Sequence, residues 1–541
     1  MPQKTTKRFS FSRWLIILLF FFGLGLVLHN SFGYLDPDFG WHYAVGQEIW
    51  QNHAVPHLEH HLFPLAGQSW VDHEWLSNVL IYLTYNWGGY LLINFLFAFL
   101  TMFIWCLLAK ETIKHWLDNK ANSLIFWLLL LIGLAASLPH FGVRVQEITV
   151  LFVLVLTIWL AQVVRKREWP TWKIVVLPLF FWLWASLHGG FLIGLAIFTA
   201  WFFFRLILYW LPHQSNKDIN ILPKGVIMRS GLTLALSWVA TCLTPYGLEL
   251  YEFLGGYGSN KAYLRMISEW LPISEAIHSW QMVYFIIFGF ALALLIFYCC
   301  GHDQHDREVA LWLKQQDWWT LILSLILCIA AWCSVRHFPL FVVVSLPWMA
   351  GFFYHAWHDN AFRPDDWPAY LKWFVAIILV LTTVLLVVDT HWSTHPEKDY
   401  CEVYPCLAIS YLQQSPYANW PTIVEYGWGG YFYWRWPEKP IFIDGRLPQY
   451  MWRGQSLIEH YGRFFKEKEV KKALDDYGLD VMVIPQPRPV HYNWVETCLL
   501  GRGLKEEDYY TLSDIVRRAM LKSPAWRLVH SDTTTMIYVR Q

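Results

Sequence analysis

The stretch WLIILLFFFGLGLVLHNSFGYLDPDFGWHYAVGQEIW, residues 14–50, decides the fold class of this chain. Its first half, residues 14–32, is an apolar run of bilayer-crossing length, roughly 17–25 residues, and it lacks the small-residue cleavage site of a signal peptide. An Asp-Pro-Asp sequence follows, and apolar residues then recur at helical spacing from Trp41 to Ile49. The stretch therefore predicts a retained membrane span followed by an amphipathic helix that lies in the membrane interface.

The rest of the chain repeats the apolar pattern. Of 541 residues, 56% are hydrophobic and 15% are charged, and the mean hydropathy is +0.31, outside the usual range of soluble proteins. We expect an α-helical polytopic membrane protein with about eleven transmembrane helices. The formal net charge of zero argues against a nucleic-acid partner, which would need a basic surface. The predicted spans lie near residues 14–32, 90–109, 122–138, 146–164, 172–187, 190–211, 230–246, 281–300, 317–335, 338–355 and 369–389.

Basic residues are concentrated on one side of the predicted spans. The short loops of the opposite side hold only Arg144 and Arg336. Because positively charged loops stay in the cytoplasm, we expect a multi-pass protein of the inner (plasma) membrane with a cytoplasmic N-terminus and an extracytoplasmic C-terminal region. The basic residues that predict this orientation are Lys4, Lys7, Arg8, Arg13, Lys110, Lys114, Lys120, Arg165, Lys166, Arg167, Lys173, Lys217, Lys224 and Arg229.

The pattern changes after the last predicted span. We predict a transmembrane domain over residues 1–390, whose outer loop 34–77 carries interface helices, and a soluble extracytoplasmic α/β domain over residues 391–541. Cys401 and Cys406 open the second domain in a compartment that permits oxidation, so we predict a disulfide between them. Short strands are predicted at 421–426, 440–445, 480–485 and 534–540, and a helix at 468–478 that ends at a glycine.

Ionisable residues are costly inside a bilayer, and here they collect in the predicted outer loops. A carboxylate can act as a general base or hold a divalent cation against a diphosphate, and an arginine can bind phosphate oxygens. The loops therefore predict a site at the outer bilayer edge for a substrate with an apolar tail and a phosphate head. The residues concerned are Asp36, Asp38, His42, His73 and Glu74 in the first loop, Arg144 and Glu147 in the second, His188 in the third, Glu269 in the fourth, and Arg336 and His337 in the fifth.

Each of these residues also has a structural explanation. Asp36-Pro37-Asp38 suits the start of a helix, with Asp36 as N-cap and proline at the first helical position. Arg144 and Glu147 can pair on one helix face, and Arg336 can reach lipid headgroups. None of these explanations accounts for the presence of ionisable residues in five separate loops on one side of the membrane. The second apolar helical segment, residues 70–90, would cover a cavity there together with the first interface helix.

Four segments of the chain resemble a known superfamily. They are DPDFGWHYAVGQEIW (36–50), HEWLSNVLIYLTYNWGG (73–89), TPYGLELY (244–251) with SEW (268–270), and EYGWGGYFYWRWPEKPIFIDGR (425–446). With its many spans and soluble outer domain, the chain resembles the GT-C-fold membrane glycosyltransferases. The resemblance is closer to a bacterial GT-C-like family and more distant to oligosaccharyltransferase catalytic subunits, protein mannosyltransferases and the enzyme that adds aminoarabinose to lipid A.

The resemblance implies a reaction. A sugar would pass from a polyprenyl-phosphate or polyprenyl-diphosphate donor in the lipid bilayer to a glycan, lipid or protein acceptor outside. The catalytic group would be the acid that begins the first outer loop, Asp38 or Asp36, and Asp38 is favoured because Asp36 suits the helix cap. Arg144 and Arg336 would hold the leaving phosphate, and a divalent cation, Mg²⁺ or Mn²⁺, is a cofactor that this chemistry admits. Candidate sugar-stacking residues are Trp41, Trp70 and Trp75.

The segment 425–446 adds two candidate binding residues, Tyr426 and Arg446. It shares Tyr426 and Gly427 with the oligosaccharyltransferase acceptor motif Trp-Trp-Asp-Tyr-Gly, but Glu425 stands in place of the aspartate, so recognition of a peptide acceptor does not follow. A turn that closes a strand explains Asp444-Gly445-Arg446 equally well.

Two other classes of function compete with the enzyme. A transporter or flippase of lipid-linked sugars would use the same polar cavity without chemistry, but it is typically built from inverted repeats with charges at mid-span, and no such repeat is visible here. A membrane-anchored binding or scaffold protein would leave the polar outer loops unexplained.

Overall fold

The computed structural model describes residues 10–33, 35–119, 123–211, 221–276, 279–300, 309, 312–313, 315–357, 364–390, 392, 401–487, 497 and 511–541. Residues 393–400, at the predicted domain boundary, lie outside the described residues. So do five of the basic residues that predict the orientation, which are Lys4, Lys7, Arg8, Lys120 and Lys217.

A helix occupies the position of every predicted span. Seven of these helices are long and apolar enough to cross a membrane by length and composition, and three others are shorter apolar helices. The chain is thus an α-helical polytopic membrane protein. The helices up to residue 388 are α1 Phe11–Ser31, α2 Phe39–Asn52, α3 Trp75–Trp116, α4 Leu124–Ser137, α5 Gln146–Lys166, α6 Lys173–Leu187, α7 Phe191–Trp210, α8 Lys224–Thr241, α9 Glu249–Ser259, α10 Lys261–Met266, α11 Ile273–Ala276, α12 Ser279–Cys300, α13 Trp318–Cys333, α14 Phe338–Trp357 and α15 Ala369–Val388.

Helix α14 lies at the centre of the bundle and α15 at its edge. The apolar window that contains α14 is 89% buried inside the protein, whereas none of the corresponding window of α15 is buried. Helix α14 packs against α3, α4 and α13, and a short 3-10 turn, Val335–His337, precedes it. The central helix therefore fixes Arg336 and His337 at one end of the bundle.

Helix α3 combines the second predicted interface helix with the second span. The two parts are joined at Gly89, whose φ of 60° and ψ of −154° are accessible to glycine and strained for other residues. The first part packs against α2, since a Cβ on Gly46 would meet Asn78 and Tyr82, so both helices predicted from residues 39–90 are present.

Helix α2 differs from the expectation in its environment and in its start. It was expected to lie in the lipid interface, but protein covers it on two faces. A Cβ on Gly46 would come closer than 3.0 Å to the backbone oxygen of Asn78 in α3, and a Cβ on Gly40 would come as close to the oxygen of Gly430. The helix begins at Phe39 rather than at Pro37, and Asp36 Oδ1 accepts the backbone N–H of Asp38 at 3.0 Å. The apolar pattern of α2 thus reflects burial in protein.

We expect Gly46→Ala to lower the free energy of unfolding by about 1–3 kcal/mol, because the new methyl group overlaps backbone atoms that cannot move aside locally. Thermal unfolding in detergent measures the change. Gly289→Ala in α12 is the control, since a Cβ there meets nothing within 4 Å. Equal melting temperatures for the two variants would contradict the close packing of α2 on α3.

The C-terminal region contains the predicted mixture of helices and strands. Four strands form one sheet in the order β1 (Thr422–Val424), β4 (Val481–Pro485), β6 (Thr535–Arg540) and β5 (Trp526–Ser531), in which β1 and β4 are parallel and the other pairs are antiparallel. The predicted helix at 468–478 is confirmed, and Gly478 ends it with a φ of 65°. The strands are β1 Thr422–Val424, β2 Met451–Trp452, β3 Gln455–Ser456, β4 Val481–Pro485, β5 Trp526–Ser531 and β6 Thr535–Arg540, and the helices are α16 Cys406–Gln413, α17 Gly429–Arg435, α18 Leu457–Gly462, α19 Glu467–Tyr477 and α20 Leu512–Leu521.

Residues 440–445 do not form the predicted regular strand. Ile441 makes single bridges to Leu62 of the first loop and to Thr422 of β1, because the segment runs between these two neighbours and pairs with each only once. The predicted disulfide between Cys401 and Cys406 is present.

The C-terminal region packs directly on the first outer loop. Tyr404 donates a hydrogen bond to the backbone oxygen of Leu35 at 2.7 Å, and Tyr433 donates to Glu48 at 3.2 Å. A Cβ on Gly430 would come closer than 3.0 Å to the backbone oxygen of Pro37, so α17 crosses the start of α2 at close range. This contact brings the segment 425–446 to the residues that begin the first loop.

Candidate active site

A cavity of about 300 Å³ lies where the first loop, the C-terminal region and the ends of several spans meet. Its lining combines polar and apolar side chains. The polar ones include Asp38, His73, Glu74, His188, Arg336, His337 and Arg446, and the apolar ones include Val150, Leu192, Ile193, Leu254, Pro339 and Leu340. Residues predicted from the outer loops are therefore brought together around one space.

Asp38 stands at the junction of the first loop and the C-terminal region. Its Oδ1 accepts a hydrogen bond from Trp41 Nε1 at 3.0 Å, and it lies so close to Gly445 that a Cβ there would overlap it. Burial raises the pKa of Asp38 to about 7, and the nearby charge of Asp36 adds to the shift. A carboxyl group with this pKa can accept a proton near neutral pH and release it again.

Asp36 has a different environment from Asp38. Its Oδ2 pairs with Arg144 Nε at 2.6 Å, and Arg144 also pairs with Glu269. Glu269 in turn accepts a hydrogen bond from Arg336 Nη1 at 3.2 Å. Burial opposes the ionisation of Glu269, but Arg336 and Arg144 outweigh it and lower the pKa of this carboxyl. Asp36, Arg144, Glu269 and Arg336 thus form a chain of alternating charges, of which only Arg336 lines the cavity.

Glu74 lies in the cavity wall among three histidines. Its Oε1 is 3.3 Å from His188 Nε2 and 3.5 Å from His73 Nε2, and its Oε2 is 3.8 Å from His42 Nε2. Burial raises the pKa of Glu74 to about 8 and lowers the pKa of His42 to about 4 and of His73 to about 3. Burial also holds the pKa of His188 well below its usual value. The three rings are therefore neutral at physiological pH.

Arg446 reaches the cavity wall, but its guanidinium group is engaged by protein groups. It pairs with Glu59 through both terminal nitrogens, at 3.0 and 3.1 Å, and with Asp444 at 2.8 Å. The rings of Trp70 and Tyr433 each lie 4.7 Å from its central carbon. The predicted substrate residue Arg446 therefore joins the first loop to the C-terminal region, and Trp70 stacks on this arginine rather than on a sugar.

Two other predicted site residues lie away from the cavity. Glu147 faces α3, where its carboxylate accepts hydrogen bonds from Thr101 Oγ1 at 3.0 Å and from the Gly142 N–H at 2.7 Å. Arg144 does not pair with it, although both belong to one turn. Tyr426 lines a separate cavity of about 390 Å³ beside Glu425 and Tyr461. Trp75 is likewise outside the lining of the first cavity, whereas Trp41 is part of it.

Four lining residues were not among the candidates selected from the sequence. His140 precedes α5 and Gln146 is the first residue of α5, whereas Tyr263 lies in α10 and Trp270 in the connection between α10 and α11. The ring of Trp270 lies 5.2 Å from the guanidinium carbon of Arg336, a cation–π contact that orients this arginine. The segment SEW (268–270) was singled out for its resemblance and for Glu269, but Trp270 itself was not a candidate.

The described residues contain no group of three or more His, Cys, Asp or Glu side chains placed to hold a metal ion. Two of the loop carboxylates, Asp36 and Glu269, are paired with arginines, and this arrangement does not suit cation ligands.

No protein-family model and no curated protein matches the chain. Among solved structures, the chain is similar to the archaeal oligosaccharyltransferase AglB from Archaeoglobus fulgidus, in complex with an inhibitory peptide and a dolichol-phosphate. The TM-score is 0.46, the sequence identity is 10%, and the match covers 88% of this chain and 69% of that chain.

Proposed function

We propose that this chain is a membrane glycosyltransferase that transfers a sugar from a polyprenyl-phosphate or polyprenyl-diphosphate donor to an acceptor on the extracytoplasmic side. The cytoplasmic N-terminus and the extracytoplasmic domain from about residue 391 belong to the same proposal. The observation that supports it most directly is that one cavity is lined both by charged side chains, among them Asp38 and Arg336, and by apolar side chains of α5, α7 and α14. A phosphate head and a prenyl tail need both kinds of surface.

The two charged groups have complementary tasks in the proposed reaction. The acceptor oxygen bonds to the anomeric carbon of the sugar while the bond from that carbon to the phosphate oxygen breaks. Asp38 takes the acceptor proton, and the bonding electron pair leaves with the polyprenyl phosphate. Arg336 compensates the charge that develops on this phosphate. An arginine has five N–H donors, so Arg336 can serve the phosphate while it remains bonded to Glu269.

We expect Arg336→Ala to weaken the binding of a polyprenyl phosphate by about 10- to 100-fold, because a hydrogen bond between charged groups is lost. Titration of the purified full-length protein in nanodiscs, followed by native mass spectrometry, gives the affinity. Arg265→Ala is the matched control, since Arg265 is an exposed arginine of α10 outside the cavity lining. Equal loss of affinity in both variants would contradict the assigned position of the phosphate.

A reconstituted vesicle assay separates the enzyme from a flippase. The purified protein is supplied with a polyprenyl-linked sugar that carries a label on the sugar, and both the location and the chemical linkage of the label are measured. A transferase moves the label from the lipid to a new product and releases polyprenyl phosphate. Movement of intact donor across the bilayer without cleavage would overturn the proposal.

A further inference from the structure

We propose that Trp41 and Gly445 are positioning residues for Asp38, which hold Oδ1 of its carboxyl group so that Oδ2 is the oxygen that takes the acceptor proton. The task given to Oδ2 rests on the proposed function, whereas the contacts that hold Oδ1 do not depend on it.

The two oxygens of Asp38 have different surroundings. Oδ1 accepts the hydrogen bond from Trp41 Nε1 at 3.0 Å, and a Cβ on Gly445 would overlap this oxygen. No residue in the described part of the chain donates a hydrogen bond to Oδ2, and this oxygen is not enclosed by protein. Because Asp38 lines the cavity, Oδ2 is the oxygen that it presents to a ligand.

Trp41 is placed by the helix that Asp38 begins. It lies three residues after Asp38, in the first turn of α2, so the two side chains stand on one face of the helix. The ring centroid of His42 is 3.7 Å from that of Trp41, and a Cβ on Gly430 would come within 3.2 Å of the Trp41 ring. These contacts leave the indole few other orientations, so its N–H stays directed at Oδ1.

The sequence predicts sugar stacking for Trp41, but the burial of its ring argues against that task. Only 5% of Trp41 is exposed, and the ring of His42 lies against one of its faces. Stacking on a sugar requires an accessible ring face. Trp41 offers the cavity too little ring surface for this, whereas its N–H has a defined partner in Oδ1.

Gly445 covers the same hydrogen bond from the C-terminal region. The turn 444–446 is held by Arg446, whose backbone N–H and Nε bond to Asp444 at 2.9 and 2.8 Å and whose Nη1 pairs with Glu59 at 3.0 Å. A Cβ on Gly445 would lie 3.5 Å from Trp41 Nε1 as well as against Oδ1. Only a residue without a side chain lets the turn approach so closely, and the approach keeps water from competing for Oδ1.

This division of tasks fits the proton transfer in the proposed reaction. The acceptor O–H bond breaks and its proton bonds to Oδ2, while the acceptor oxygen bonds to the anomeric carbon and the phosphate leaves with the electron pair. The carboxyl group must keep its orientation, because a displacement of about 1 Å at a reacting group can cost about 10²-fold in rate. A hydrogen bond and a close contact at Oδ1 restrict rotation without occupying Oδ2.

Trp41→Phe tests the role of the indole in the vesicle transfer assay, since phenylalanine keeps an aromatic ring and lacks the N–H. We expect kcat to fall by about 10- to 100-fold and the KM for the donor to change by no more than about twofold, because orientation is disturbed and binding is not. Trp169→Phe is the matched control and should keep the wild-type kcat, since Trp169 is a buried tryptophan that donates to Thr233 at 3.1 Å outside the cavity lining. An unchanged kcat in Trp41→Phe, with or without a raised KM, would overturn the proposal.

A double-mutant cycle shows whether both residues act through Asp38. Trp41→Phe and Gly445→Ala should each slow a single turnover of the otherwise wild-type protein, but neither should slow that of Asp38→Asn by more than about twofold. A further loss of full size in the Asp38→Asn background would overturn the positioning role. Gly445→Ala adds a methyl group against Oδ1, so its melting temperature is measured first. If this variant does not fold, the Trp41→Phe cycle decides alone.

The hydrogen bond can also be tested without substrate, from the ionisation of Asp38. The indole N–H favours the ionised carboxyl group, so its removal in Trp41→Phe should raise the pKa of Asp38 above its value of about 7. The variant leaves unchanged the other charged and titratable groups around Asp38, which are Asp36, Glu74, Arg144, Tyr263, Glu269 and Tyr404.

Infrared spectra of the full-length protein in nanodiscs follow this ionisation through the carbonyl band that Asp38→Asn lacks. The midpoint of the band should move to higher pH in Trp41→Phe and stay in place in Trp169→Phe. An unmoved midpoint in Trp41→Phe would contradict the hydrogen bond and with it the proposal. Absence of transfer by the wild type with every polyprenyl-linked donor would instead refute the proposed function, and the midpoint would still decide whether Trp41 holds Oδ1.

Discussion

Asp38→Asn should lower the rate of sugar transfer by about 10²- to 10⁴-fold, the usual contribution of a general base. The asparagine keeps the size of the side chain and can still accept the hydrogen bond from Trp41 Nε1, so the fold is preserved. It cannot take the acceptor proton at any pH. Initial rates in proteoliposomes with a labelled polyprenyl-linked sugar give the ratio to the wild type.

Two further variants test whether the loss of transfer rate is specific to the Asp38 carboxyl group. Glu48→Gln changes another carboxyl group of the same loop, one that bonds to Tyr433 and stands outside the cavity lining, and we expect nearly wild-type rates. Asp36→Asn weakens the pairing with Arg144 and should cost less than Asp38→Asn, because Asp36 does not line the cavity. A rate in Asp38→Asn equal to that of the Glu48 control would remove Asp38 from the mechanism.

Arg446→Met should lower the free energy of unfolding by about 3–5 kcal/mol, because it leaves the carboxylates of Glu59 and Asp444 buried without a counter-charge. Glu59 keeps the N–H groups of His61 and Leu62, at 2.6 and 2.7 Å, and these do not neutralise it. The melting temperature of the purified protein in detergent reports the loss.

The triple variant Arg446→Met, Glu59→Gln and Asp444→Asn separates lost charge balance from lost packing. Removal of the two buried charges should restore much of the stability. Arg527→Met, which changes an exposed arginine that bonds to Tyr417, should alter the free energy of unfolding by no more than about 0.5 kcal/mol. If Arg446→Met were as stable as the Arg527 variant, the buried ion pairs would not hold the first loop to the C-terminal region.

Helices occupy the positions of the predicted spans, and seven of them have the length and composition of membrane spans, because hydropathy is a local property. A run of apolar residues has to be a helix in a bilayer, and its length sets its ends to within a few residues. The predicted first residue of α2 was less accurate than the predicted spans. Asp36 has the residue type of an N-cap, but its second oxygen pairs with Arg144, and the helix begins one residue after Asp38.

The partners of the site residues could not be read from the sequence. Arg446 and Glu59 are 387 positions apart, and Arg144 and Glu269 are 125 positions apart. Pairs at such separations are decided by packing rather than by a repeating pattern. Arg446 and Glu147 therefore looked available for a ligand until their hydrogen-bond partners were known. Asp38 and Arg336 are predicted residues for which the expected place at the ligand cavity agrees with the structure, since both line the cavity wall.

A structure of the full-length protein in nanodiscs with a bound polyprenyl phosphate tests the central claim most directly. We expect the phosphate to lie within hydrogen-bond distance of Arg336 and near Asp38, and the prenyl chain to run along Leu192, Ile193 and Leu340. A phosphate bound elsewhere, with the cavity between Asp38 and Arg336 closed to it, would contradict the proposed function.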